Sequence, residues 1–456
     1  MVFYFAALAL VSALFFSYAM PLVWVLFGAV EVCAFFYFCN VLTKSWRLLH
    51  PDVFVRKLFV TSLIIRLVYM VFAYFFYDAM TGQPFMFHSA DEQFYYAMSK
   101  VWSEHGLGGL RREMEMAIVN FSDSGEIYWA AFICKIFGPY IMPVRMGHCL
   151  VSALTCVLIY HLSKRHFGEG LGRMSAIFCM LMPNLIYYCG IHLKETEMVF
   201  LTVFFVDCVD RMLSNNKFDV TYFILAVIAL LAQFTFRTVL GIVEILGTLV
   251  ALVLVRGHLG NWWKRIGMML AIAIVLSATA IGDRIMREVD VVWEGKMMNQ
   301  RIGMLGRAEK EGGNAFSAYA SQTVFAPLIF TLPFPTMVEI PDQENQQMLN
   351  GGNYVKNVMS FFVIFALISI LLNGEWRKHV MPIAVMGGYL VVIAFSNFAH
   401  SERFHQPAMP FELMFAAVGI SMLKKKHLKW FDYWLGFLLV VNVAWAWFKL
   451  AGRGLV

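Results

Sequence analysis

Windows of about 20 predominantly apolar residues recur along this chain from one end to the other, and nothing else constrains its fold as tightly. A helix of that length matches the roughly 30 Å hydrocarbon core of a bilayer. In lipid every backbone N–H and C=O must be bonded internally, so the windows read as helices. They predict spans near 2–19, 21–43, 57–77, 142–162, 173–190, 196–212, 219–236, 238–255, 266–283, 353–373, 379–397, 406–423 and 430–449. Composition agrees, because the chain is 60% hydrophobic and only 14% charged, where soluble domains carry roughly a quarter charged residues. The predicted fold class is an all-α polytopic membrane protein with about thirteen transmembrane helices.

Basic residues then set the phase. Lys44, Arg47, Arg56 and Lys57 share one loop; Lys164, Arg165 and Arg173 share another. Arg211 with Lys217, Arg256 with Lys264 and Arg265, Arg377 with Lys378, and the KKKHLK run at 424–429 follow at every second loop. Cytoplasmic loops collect Lys and Arg, which puts these loops and the N-terminus inside. The net charge of +6 is accounted for by those loops and calls for no nucleic-acid partner. The first apolar run lacks a basic leader and reads as a retained helix. Cys33, Cys39, Cys149, Cys156, Cys179 and Cys208 fall inside apolar runs without a CxxC pair, and read as small core residues.

The chain reads as one membrane domain over 1–456, with two large external loops at 78–141 and 284–352. Short external turns are "GIHLKE" at 190–195, "TFRT" at 235–238 and "NFAHSERFH" at 397–405. The apolar stretch 319–337 is broken by Pro327, Pro333 and Pro335 and reads as re-entrant or interfacial.

Asp91 and Glu92 stand together in "FHSADEQFYYAMSK", in the first large loop. Ser89 and Glu92 fit a capping box, with Ser89 as N-cap and Glu92 reaching back to its N–H. Asp91 would lie in the first helical turn, where the dipole favours an anion. A carboxylate held rigidly there can also act as a general base on a hydroxyl or amine, while its neighbour orients the acceptor or shares a divalent cation. Capping and catalysis are compatible. A metal requirement is left open, and no cofactor is assigned.

Lys194, Glu195, Arg237 and Arg403 occupy the short external turns, and Arg145 opens a span. Charges near membrane depth are costly and face a cavity or a partner. Cations converging beside a carboxylate pair suit a lipid-linked phosphate; snorkelling and local pairs such as Arg403 with Glu402 are the alternative. Asp123 and Glu126 form a second acidic cluster, read either as part of a helix capped by Ser122 or Ser124 or as an acceptor or metal contact. His88, His192, His400 and His405 show no metal-ligand spacing and read as polar cavity lining. Tyr95, Tyr96, Trp102 and Trp129 suit sugar stacking or an interfacial belt. Glu31 and Arg66 read as a buried mid-span pair, and Glu244 has no obvious partner.

At these residues the chain resembles a known family. "ADEQFYYAMSK" looks like the acidic motif of the GT-C glycosyltransferases. More closely, the chain resembles the bacterial relatives of protein O-mannosyltransferases and the lipid A aminoarabinose transferases. The features that carry this are Arg145 opening a helix, the Phe167-Gly168 turn, a helix ending near Pro183, Glu195 opening the next helix, and "ERFHQPAMPFELMFAAVGI" at 402–420. Two spans precede the helix leading into the acidic loop, where that family usually has one, and 284–352 has no counterpart there. The resemblance implies a GT-C-like bundle. It also implies an integral-membrane glycosyltransferase that moves a sugar from a polyprenyl-phosphate donor to a glycan, lipid or protein acceptor on the periplasmic face of a bacterial inner membrane. Asp91 would be the base and Glu92 would position the acceptor or a metal. Arg403, Lys194, Arg237 and Arg145 would hold the donor phosphate, with Tyr95, Tyr96, Glu195, His405 and Asp123 near the acceptor or sugar. A competing reading is a polymerase or ligase of lipid-linked oligosaccharides, for which Arg301 and Arg307 in 284–352 would serve. A flippase or transporter would need paired charges at the midplane and repeated halves, and no repeat is visible.

Overall fold

The computed structural model describes residues 1–214, 219–254, 267, 326–396 and 399–455. The expected span 266–283, Lys217, Arg256, Lys264, Arg265, Arg301, Arg307 and most of the second large loop lie outside the described residues. Those described form seventeen α-helices and no sheet.

In chain order they are α1 (Val2–Leu14), α2 (Leu22–Ser45), α3 (Pro51–Thr81), α4 (Ala90–Met116), α5 (Phe121–Phe137), α6 (Ile141–Phe167), α7 (Glu169–Leu181), α8 (Pro183–Cys189) and α9 (Glu195–Ser214). Then come α10 (Val220–Phe236), α11 (Thr238–Leu254), α12 (Glu344–Met348), α13 (Asn350–Leu372), α14 (Val380–Ala394), α15 (Glu402–His405), α16 (Met409–Met422) and α17 (Leu428–Ala451). Among the described residues, five helices are long and apolar enough to cross a membrane: α2, α3, α6, α13 and α17 with the turn before it. Helices α1, α10, α11, α14 and α16 are apolar but shorter. The expectation of thirteen full spans is therefore met only in this coarser form. The 2–19 window stops being α-helical at Leu14. The 173–190 window divides into α7 and α8 at Met182, because Pro183 disfavours helical geometry in the residue before it.

Contacts sort the connections into two ends. At one end Arg173 donates to the carbonyls of Trp46, Arg47 and Leu49, at 2.9, 2.9 and 2.7 Å. There too Arg165 pairs with Asp207 and Asp210, and His166 meets His379 at 2.9 Å. At the other end the 84–92 segment, the 190–195 turn and α15 meet. Among the described residues the basic loops around 46–49, 164–173, 211 and 377–379 thus share an end, and α6, about 40 Å long at 1.5 Å per residue, connects it to the other.

Non-helical backbone enters the bundle at 329–338, where it is largely buried. Its carbonyls are bonded by one face of α13: Lys356 donates to Leu332, Asn357 to Thr331 and to Pro333 at 2.8 Å, and Ser360 to Phe330 at 2.6 Å. Irregular backbone inside a membrane bundle needs such partners.

The Glu31–Arg66 pair does not form. Glu31 accepts from the Gly352 N–H at 2.9 Å, where α2 and α13 approach through Gly28 and Gly351. Arg66, fully buried, donates to Ser62 and Ser152 at 2.7 Å each and to the carbonyls of Cys179 and Met180. α3, α6 and α7 converge there, so local hydroxyls and free carbonyls reach it first. All eight cysteines are free, and all but Cys33 are buried.

Candidate active site

The site starts at the N-terminus of α4. Ser89 caps the helix, its hydroxyl accepting from the Glu92 N–H at 3.3 Å. The reciprocal half of the box is not made. Glu92 points inward instead, fully buried, and accepts from the backbone N–H groups of Met86 (2.7 Å) and His192 (2.5 Å) and from the Arg145 guanidinium (3.3 Å). Asp91 points outward. Its side chain is 54% exposed and pairs with Arg403 at 2.7 Å.

Arg403 lies on α15, a single turn after the end of α14. Its Nε donates to the buried Glu195 carboxylate, while its Nη1 reaches Asp91. Burial opposes its charge, but Glu195 and Asp91 hold it charged more firmly than usual. Those two bonds use two of the five N–H donors of a guanidinium. One position before Glu195, Lys194 pairs with Asp123 and donates to the Ser122 carbonyl at 2.8 Å. Burial raises the Asp123 carboxyl, but Lys194, Asn120 and Tyr95 outweigh it and leave its pKa below 3.8. Tyr95 donates to the same oxygen at 3.2 Å. Arg237 ends α10 in extended conformation and lies over the Phe404 ring at 4.3 Å, next to Arg403 in sequence. Its charge is felt at Lys194.

Beneath this layer lies a closed cluster. Glu126 on α5, His148 on α6, His192 in the 190–194 segment and Glu197 on α9 are all buried. Glu126 Oε1 is 3.2 Å from His192 Nδ1 and 3.5 Å from His148 Nε2, and His148 Nδ1 is 2.6 Å from Glu197 Oε1. Among the described residues, Glu126, His148 and His192 are the one group of His, Cys, Asp and Glu able to hold a metal ion.

The structure therefore brings together Asp91, Tyr95, Asp123, Lys194, Glu195, Arg237 and Arg403. It places other sequence candidates elsewhere. Arg145 is fully enclosed, with one nitrogen on Glu92 and the Pro84 carbonyl. Burial behind Glu92 removes the open approach that a phosphate contact was expected to use. Glu92 accepts from three donors inside the protein, while Asp91 faces outward. Tyr96 donates to the Pro139 carbonyl at 2.9 Å, tying α4 to the α5–α6 turn, with Lys100 over its ring. His405 is buried between Lys356 at 3.2 Å and the Ala399 carbonyl at 2.8 Å, in a group that includes Glu412. His88 is exposed, beside Asp342 and Glu344. Trp102 packs on Phe132. His148 and Glu197 were not singled out by sequence. Their signal is ionisable residues inside or at the start of apolar helices, which is weak when each is considered alone.

Residues 126–281 match the family model described as dolichyl-phosphate-mannose-protein mannosyltransferase. The match takes in Glu126, His148, His192, Lys194, Glu195 and Arg237; Asp91 and Arg403 lie outside it. Among the curated proteins none matches the chain.

Proposed function

We propose, from the family match over residues 126–281, that the chain is a GT-C membrane glycosyltransferase that transfers a sugar from a polyprenyl-phosphate donor, that Asp91 is the base and that Arg403, Lys194 and Arg237 hold the donor phosphate. The observation that carries this is Arg403 bridging Asp91 and Glu195. It joins three distant stretches of the chain at one open point.

In the proposed reaction the acceptor oxygen or nitrogen attacks the anomeric carbon and loses its proton to Asp91. The bond from that carbon to the phosphate oxygen breaks, and the polyprenyl phosphate leaves with the electron pair. A phosphate is already a good leaving group, so no general acid is required; positive charge on the departing oxygens is what the site must supply. Arg403 offers its remaining N–H donors in a planar fork, and Lys194 supplies a compact charge. Glu195 and Asp123 keep these cations in place before the donor arrives. A single displacement inverts the sugar carbon. Tyr95, held by Asp123, lies where a sugar or acceptor would pass. Glu92, with Arg145 behind it, positions α4 and hence Asp91. The positive-inside rule puts the basic end in the cytoplasm and this site on the outer, periplasmic face; the acceptor is a glycan, lipid or protein at that surface.

Binding of the leaving group tests the assignment. Purified protein in detergent is titrated with polyprenyl phosphate. Arg403→Ala and Lys194→Ala should each weaken binding at least tenfold, and Asp91→Asn should not weaken it. Unchanged affinity in both cation variants would remove the phosphate from this site.

A further inference from the structure

We propose that Glu126, His148 and His192 form a binding site for a divalent transition-metal ion, zinc by the chemistry of the donors, closed off beneath the surface that carries Asp91 and Arg403. One ligand comes from α5, one from α6 and one from the segment leading to Lys194, so the ion would clamp three elements.

The distances favour a metal over a hydrogen-bonded network. The three ligand atoms lie within 4.8 Å of one another. Glu126 Oε1 is 3.2 Å from His192 Nδ1 and 3.5 Å from His148 Nε2. Zinc–ligand bonds of about 2.0–2.1 Å put neighbouring ligand atoms of a tetrahedral site about 3.3 Å apart. The His148 contact is longer than an N–H···O hydrogen bond and the His192 contact is at the long end of that range. Both Glu126 oxygens, His148 Nε2 and both His192 nitrogens are buried without a hydrogen-bond partner. Unpaired buried polar atoms are costly, and five within one cluster point to a partner of another kind.

The surroundings agree. Glu197 at 2.6 Å from His148 Nδ1 is the carboxylate that commonly orients a metal-bound imidazole, leaving the opposite nitrogen free for the ion. Two carboxylates, Glu126 and Glu197, balance the charge of a dication among buried side chains. Two imidazoles and one carboxylate suit zinc better than magnesium or calcium, which prefer oxygen donors alone. The second Glu126 oxygen or a water would complete the shell.

The ion would position the site and leave the reaction itself to the residues above. His192 is a ligand, and its backbone N–H donates to Glu92; two residues later comes Lys194, then Glu195. Fixing His192 fixes all three.

The test is the metal content of the purified full chain, prepared with zinc in the medium and measured by plasma mass spectrometry. About one zinc per chain is expected, with loss in His148→Gln and in His192→Gln. Chelation should lower the melting temperature of the wild type, and added zinc should restore it. Replacement by Co(II) should give the intense visible bands of a tetrahedral site, which decides the matter on the wild type alone if the variants do not fold. Wild type without stoichiometric zinc and with a melting temperature indifferent to chelator overturns the proposal, as does zinc retained at full occupancy in both variants. The cluster would then be a proton-sharing pair of histidines between two carboxylates.

Discussion

An α-helix turns about 100° per residue, and that rotation separates the work of Asp91 from that of Glu92. Asp91 emerges beside Arg403, while Glu92 is driven inside, where three donors are waiting. The two carboxylates should therefore fail differently when changed. Removing one partner of a fully buried ion pair costs about 3–5 kcal/mol, because the other charge is left uncompensated. Arg145→Met should lower stability by that amount in denaturant unfolding, and Glu92→Gln combined with Arg145→Met should cost less than the two single changes added. Strictly additive losses would show that Glu92 and Arg145 do not interact. At this scale Asp91, Lys194, Glu195, Arg237 and Arg403 were legible because charge is rare in so apolar a chain and costly near lipid. The inward turn of Glu92 was not, because a capping box and a buried anchor begin with the same residues. His148 and Glu197 were hidden for a related reason: the separations among positions 126, 148, 192 and 197 follow no motif, and only the folded chain brings them together.

Elements place the site through their interruptions as much as through their length. α4 is two helical pieces broken at Gly106, whose φ of 73° and ψ of 177° suit glycine and strain any other residue. No atom of a more distant residue lies within 4 Å of the position a Cβ would take there, so the strain is local to the backbone. Gly106→Ala should cost about 1–3 kcal/mol, read as a lower melting temperature. An unchanged melting temperature would mean that α4 tolerates a straighter path. Hydropathy located the apolar helices well, since windows of 20 residues sum many weak preferences. It overstated the length of 2–19, 173–190, 379–397 and 406–423, because a window average does not register where Phe15, Pro183 or the polar 399–408 segment ends regular structure. It also passed over α5, whose Asp123, Glu126 and Lys135 dilute an apolar face that packs against α4, α6 and α10.

Across the whole molecule, alternation is the strongest consequence of the sequence. Among the described residues, basic loops meet at one end and the acidic and cationic turns at the other, although they are scattered over more than 300 positions. The proposed orientation follows, and surface labelling checks it. Seven of the eight native cysteines are buried, so introduced thiols are readable. A membrane-impermeant maleimide should label Gln93→Cys in intact spheroplasts and Lys425→Cys only after permeabilisation. The reverse pattern would put the site in the cytoplasm. Whether Asp91 takes the acceptor proton during sugar transfer is decided in cells. A deletion strain is rescued with wild type or with Asp91→Asn, and polyprenyl-linked sugars and surface acceptors are measured by mass spectrometry. A positioned base contributes about 10²–10⁴-fold, so the variant should be present at normal levels, accumulate the monoglycosyl lipid and leave one acceptor short of one sugar. Rescue by Asp91→Asn equal to wild type would contradict the account. Accumulation of complete lipid-linked repeat units would contradict it too and replace transfer of a single sugar with polymerisation or ligation.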